Sequence, residues 1–166
     1  MPIPPLVEHG LLPDGVHDCT LAEIDDSFGK FQLRPRAVGF RGKTKPEHRL
    51  DLSTRLKAYV DELGKSPIPV ACVLVDGSFC TSKDEPSDVD VALVLKADLP
   101  SDLPPAFMNL LDKTYVRRRF HIDVAHTLTT EEEVTAVEFF AQVKPGQLPE
   151  QPDGLPVRKG MLRVAL

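Results

Sequence analysis

Asp88 and Asp90 stand two residues apart at the head of an apolar run, Val89 to Leu95, that reads as a β-strand buried on both faces. Alternate residues of a strand project to one side, so the two carboxylates should face the same way. Side by side in apolar surroundings they repel each other and are costly to desolvate. A divalent cation removes that cost, and Mg²⁺ commonly joins one or two carboxylates to substrate phosphates. Upstream, a second apolar run, Val70 to Val75, leads into Asp76, Gly77 and Ser78. A glycine at a strand end lets backbone approach a ligand closely. The N–H groups around it, with the Ser78 hydroxyl, suit phosphate oxygens. The loop between the two runs carries Lys83, Pro86 and Ser87 and is expected to fold back over those phosphates.

A third acid, Asp123, lies between Ile122 and Val124. If Tyr115–His126 is a third strand, Asp123 points away from those two apolar neighbours and shares its face with His121, Arg117 and Arg119. Beside the strand that carries Asp88 and Asp90, it would bring three carboxylates together. Three acids can hold two Mg²⁺ ions about 3.5–4 Å apart, the arrangement for in-line phosphoryl or nucleotidyl transfer. Taken singly, each residue has a plainer role. Asp88 with Ser87 suits a strand-entry turn, and Asp76 suits a turn. Asp123 suits an ion pair with Arg117 or Arg119. His121 suits a structural hydrogen bond, and Cys80 suits packing.

The elements that must position these residues follow from local signals. Residues 1–19, rich in proline, read as an irregular arm. Thr20 and Glu23 form a capping-box pattern that opens a short helix from Leu21 to Phe28, closed by Gly29. Residues 30–49 carry Lys30, Arg34, Arg36, Arg41, Lys43, Lys45 and Arg49 against Glu47. They read as a solvated basic loop or a patch for phosphate or RNA. Leu50, Leu52, Leu56, Tyr59, Val60 and Leu63 mark one face of a helix over 47–63, stopped by Gly64. A helix around Pro105–Lys113 precedes the third strand. Thr129 or Thr130 caps another helix running to Val143, with Glu131, Glu132 and Glu133 at its positive end. A proline-rich extension, 144–166, ends in a segment from Gly160 to Leu166 that reads as an edge strand. The order predicts an α/β (α+β) fold, a small mixed sheet with helices packed on it, in one domain over 1–166.

Composition bounds the partners. With 166 residues, 42% of them hydrophobic and 27% charged, the chain is long enough for one well-filled core. Twenty Lys and Arg against 25 Asp and Glu leave a net charge of -5, which excludes a globally basic nucleic-acid coat but not a local basic patch. No apolar run is long enough to cross a membrane, and the first residues lack the pattern of a secretory signal. The three cysteines, Cys19, Cys72 and Cys80, form no CxxC pair and read as reduced thiols, so a cytoplasmic setting is expected.

Gly77-Ser78, the spacer, Asp88-x-Asp90 and the later strand acid Asp123 together resemble the DNA polymerase β-type nucleotidyltransferase superfamily, in particular its minimal bacterial members. The resemblance covers about residues 50–128. Leu12 to His17 and Arg158 to Arg163 are also similar to an uncharacterised bacterial group of nucleotidyltransferase-like proteins. The resemblance implies that Asp88 and Asp90 ligate two Mg²⁺ ions when NTP is bound. It implies that Asp123 ligates the catalytic ion and helps deprotonate an acceptor hydroxyl. Gly77 and Ser78 would hold the β- and γ-phosphates, with Lys83, the first base after them, in reserve. The implied reaction moves an NMP, AMP foremost, from an NTP, with ATP favoured, to a partner protein or an RNA end, and DNA is not expected. Minimal relatives often pair with a small helical toxin, whose tyrosine is adenylylated. The other function in view is a catalytically silent module of this fold that binds a partner, as an antitoxin or regulator does.

Overall fold

The computed structural model describes residues 2–30, 46–83, 85–143 and 157–166, without the side chains at 46, 47 and 126. Most of the basic 30–49 run, and the first part of the proline-rich extension, lie outside the described residues. The frame is a mixed sheet of five strands in the order β1-β5-β2-β3-β4, with helices on it, as the sequence pattern predicts.

The two buried runs form β2, Val70–Asp76, and β3, Val89–Leu95, which pair antiparallel. β4, Ile122–Thr129, lies parallel to β3 on its other side. Their alternation sorts the side chains into two layers. Val73, Val75, Val91, Leu93 and Val124 pack into the larger core. There they meet α2, Pro46–Lys65, through Leu52, Leu56, Tyr59, Val60 and Leu63. Leu50, expected on that apolar face, is instead exposed, and the helix runs one residue past Gly64. Cys72, Leu74, Ala92 and Val94 form a thinner layer on the opposite face.

The N-terminal region is more ordered than its prolines suggest. Val16–Asp18 forms a short strand, β1, parallel to β5 (Met161–Ala165). β5 lies between β1 and β2, so the C-terminal segment is an interior strand rather than an edge. Nothing local signals this, because each strand has partners at the far end of the chain. The capping box at Thr20 and Glu23 is formed. The helix it opens, α1, is only Leu21–Ile24 and passes into a π-helical turn over Asp25–Gly29.

The largest correction concerns Tyr115–His126. Its first half is not strand. After the short α3, Pro105–Met108, the chain forms α4, Lys113–Phe120. The Asp112 carboxylate accepts a hydrogen bond from the Tyr115 N–H and caps the start. Val116 and Phe120, four apart, are the buried pair, a helical spacing hidden inside a β-rich composition. His121 stops the helix in a left-handed conformation, φ 55°, and β4 begins at the next residue. Arg117 therefore reaches the site from a helix, not along the face of the Asp123 strand, while Arg119 on the same helix pairs with Glu62 instead.

On the thinner face, the Thr129 hydroxyl and Glu132 exchange hydrogen bonds ahead of α5, Glu133–Phe140. Its Val137 and Phe140 cover the small apolar layer. Arg163 pairs with Glu133, and Arg158 with Glu138, which ties α5 to the C-terminal segment. Among the described residues no helix is long and apolar enough to cross a membrane.

Candidate functional site

Strand register brings the acids together. Asp90 is the direct partner of Asp123 across β3 and β4, and of Asp76 across β3 and β2. One rung of the sheet thus carries three aspartates on three neighbouring strands. All three alternate with residues of the larger core, so all three face the thinner layer. Asp88 lies two residues before Asp90 and turns to the same side. The expectation that Asp123 joins Asp88 and Asp90 on one face agrees with this geometry. Asp76 is an addition, since a turn role for it hid its place opposite Asp90.

Electrostatics reflect that crowding. Burial pushes the Asp90 carboxyl above its ordinary pKa, and the charges of Asp88, Asp76 and Asp123 push it further, while Lys159 pulls it back. Part of the burial comes from a shallow apolar recess beside it, walled by Leu74, Ala92, Met161 and Phe140. Among the described residues, two cations sit among the carboxylates. The Lys159 ammonium donates to both Asp76 oxygens at 2.7 and 2.8 Å, with side-chain exposures of 17% and 14%. The Arg117 guanidinium spans Asp88 at 3.3 Å and Asp123 at 3.6 Å. Among the described residues, no three acidic, histidine or cysteine side chains stand close enough to hold a metal ion by themselves. The carboxylates share a face, and the space between two of them is taken by Arg117.

Gly77 follows the rung at φ 80°, a conformation that glycine adopts without strain. A Cβ there would overlap the Asp90 carboxylate. The glycine is needed on both counts: for its backbone angle and for the acid packed against it. Gly77→Ala should therefore lower stability by about 2–4 kcal/mol, from backbone strain plus overpacking, and displace Asp90. Chemical denaturation measures the first effect. Loss of the upward-shifted carboxyl in an NMR titration measures the second.

Ser78 opens a single 3-10 turn through Cys80, closed by hydrogen bonds from the Cys80 and Thr81 N–H groups to Gly77 and Ser78 carbonyls. The loop beyond is held from beneath by Arg49, which the sequence placed in a solvated basic run. Arg49 is only 2% exposed. It donates to the carbonyls of Phe28, Phe79, Thr81 and Lys83. His48 bonds the Pro86 carbonyl in the same loop. The start of α2 thus fixes the segment between Gly77-Ser78 and Asp88. Lys83 lends its backbone to this clamp while its side chain is exposed. His121 is exposed, and Cys80 is buried with its thiol pushed well up by desolvation, in keeping with a packing role. Lys159 and Arg49 carried no local signal for their roles, because their partners lie 83 and 21–34 residues away.

Against known proteins, the chain matches the model of the family of unknown function DUF6932 over residues 4–165, and it belongs to that family. No curated protein and no solved structure matches it.

Proposed function

We propose that this member of the DUF6932 family is a Mg²⁺-dependent nucleotidyltransferase that moves an NMP, AMP foremost, from an NTP to a hydroxyl of a partner protein or an RNA end. The observation that supports it most is the shared rung: Asp90 in register with Asp123, Asp88 on the same face, and Gly77 packed on the Asp90 carboxylate. The donor set is all oxygen and strongly anionic, which fits a hard divalent cation. A guanidinium already stands in for such a cation between Asp88 and Asp123.

In this reading Asp88, Asp90 and Asp123 hold the metal. Bound there, Mg²⁺ supplies charge stabilisation for the phosphoryl oxygens. Gly77 and Ser78 present backbone N–H groups and a hydroxyl to the β- and γ-phosphates, and Lys83 reaches them from the loop. Arg49 keeps that loop in place. Asp123, 38% exposed and the more open of the two acids that Arg117 spans, takes the proton of the acceptor hydroxyl. The acceptor oxygen bonds to the α-phosphorus, the bond from that phosphorus to the bridging oxygen breaks, and pyrophosphate leaves. The described residues offer the acceptor this open face, and in this reading the acceptor comes from a partner.

A second reading has its own support. With Arg117 and Lys159 offsetting part of the acids' charge, the site is partly neutralised without metal, as in a silent module that only binds a partner. Isothermal titration with ATP, GTP, CTP and UTP, with and without Mg²⁺, separates the two. The enzyme should bind NTP only with Mg²⁺, and Asp88→Asn should weaken that binding at least tenfold, about 1.4 kcal/mol. Absence of binding to all four nucleotides, with partner binding intact in an Asp88→Asn/Asp90→Asn variant, would establish the silent module instead.

A further inference from the structure

Among the described residues the site contains two resident cations, and they are held very differently. Lys159 is a fixed one, with short bonds to both Asp76 oxygens and little exposure. Arg117 is loosely held. Its contacts of 3.3 and 3.6 Å are long for a charge-assisted hydrogen bond, and its side chain is 63% exposed. Such a pair is weak and readily exchanged. Its neighbour Arg119 is committed elsewhere, to Glu62 and Tyr115 and over the Phe120 ring at 4.9 Å. Among the described residues Arg117 has no such second anchor. It stands in the last turn of α4, where the helix dipole favours a cation whether or not the carboxylates are available.

We propose that Arg117 is the exchangeable cation of this site: its guanidinium and a divalent ion compete for the space between Asp88 and Asp123, and the displaced guanidinium pairs with the phosphates of the nucleotide. The inference rests on the nucleotidyltransferase reading and assigns Arg117 a role within it. Four carboxylates, Asp76, Asp88, Asp90 and Asp123, face Lys159 and Arg117. Entry of a divalent ion beside Asp88 and Asp123 would put like charges in contact unless Arg117 leaves. A released guanidinium has the planar fork that suits a phosphate, and its helix keeps it at the mouth of the site. The first base after Gly77-Ser78 is Lys83, and an arginine arriving from α4 would bring a second cation to the phosphates.

The test is Mn²⁺ binding without nucleotide, followed by electron paramagnetic resonance of free Mn²⁺, and then Mg²⁺·ATP binding by calorimetry. Wild type, Arg117→Gln and Asp90→Asn are compared, with thermal melts to establish that each is folded. Arg117→Gln should bind Mn²⁺ about fivefold more tightly, because its competitor is gone, and bind Mg²⁺·ATP about tenfold more weakly, because a phosphate partner is gone. A merely structural arginine would not move the two affinities in opposite directions. If wild type binds Mn²⁺ in an Asp90-dependent way and Arg117→Gln binds it equally or less well, the exchange is overturned while the nucleotidyltransferase reading stands. If neither wild type nor Arg117→Gln binds Mn²⁺ at millimolar concentration, the nucleotidyltransferase reading fails, and the exchange with it.

Discussion

Asp90→Asn should make the protein more stable at neutral pH while abolishing Mg²⁺-dependent nucleotide binding. Asp90 is the centre of the rung, in register with Asp76 on one side and Asp123 on the other. Burial and three neighbouring carboxylates raise its pKa above the ordinary 3.8. A carboxyl whose folded-state pKa is raised binds its proton more tightly in the folded chain than in the unfolded one. Its ionisation therefore opposes folding. Stability falls as pH rises from 3.8 through the raised value and stays at the lower level above it. Asparagine has nearly the same shape and no charge to desolvate, so the variant should melt at a higher temperature at pH 7. Its advantage over wild type should shrink on acidification through that window. Taking the difference between the two proteins removes the opposite contribution of Asp18, Glu23 and Glu132, whose lowered pKa values cost stability in acid. In the proposed function the gain in stability and the loss of binding have one cause, the carboxylates crowded around Asp90. Removing even an outer partner of a metal ligand commonly costs 10–100-fold in affinity, so loss of the central ligand should cost at least about 100-fold. Thermal melts across pH and Mg²⁺·ATP calorimetry check both halves. A variant that is less stable than wild type at pH 7 would mean that Asp90 is paired rather than crowded.

The opposite sign is expected at Lys159. It is the only cation in hydrogen-bonding contact with Asp76 among the described residues, and Asp76 sits directly across from Asp90. Lys159→Met would keep much of the side-chain bulk and leave a poorly solvated carboxylate facing others of its own sign. Breaking a buried pair from one side costs about 3–5 kcal/mol, and the partial exposure of this pair points to the lower end, about 3 kcal/mol. For a chain of this size that is a fall in Tm of roughly 6–12 °C. The double variant Asp76→Asn/Lys159→Met should recover most of the loss, because neither charge then stands alone. Additive effects of the two substitutions, measured by denaturation, would show that Lys159 contributes through the packing of its aliphatic stem and not through its charge on the rung.

Much of the candidate site was legible because its signals are local. A continuous apolar run marks a strand buried on both faces, and two such runs delimit β2 and β3. Strand alternation then assigns Asp88 and Asp90 to one side without knowledge of the rest of the chain. The same reasoning placed Asp123 correctly even though the strand carrying it was drawn too long. Its apolar neighbours Ile122 and Val124 settle its face, and the helical character of Tyr115–Phe120 does not disturb them. The cap at Thr20 was readable for the same reason, since it involves residues three apart; Thr129 bonds Glu132 at that spacing too, but in a turn ahead of α5, whose own first turn has no side-chain cap.

The sequence by itself therefore determined the chemistry on offer: acids two apart at a strand head, a third on another strand, and a Gly-Ser turn beside them. Only the tertiary structure decided how their charges are balanced. Lys159 reaches Asp76 from 83 residues away, Arg117 reaches Asp88 from 29, and β5 takes its place between β1 and β2 across most of the chain. These pairings arise when distant segments close onto one sheet. A residue's periodicity and its near neighbours record which face it occupies, but not which distant charge will meet it there.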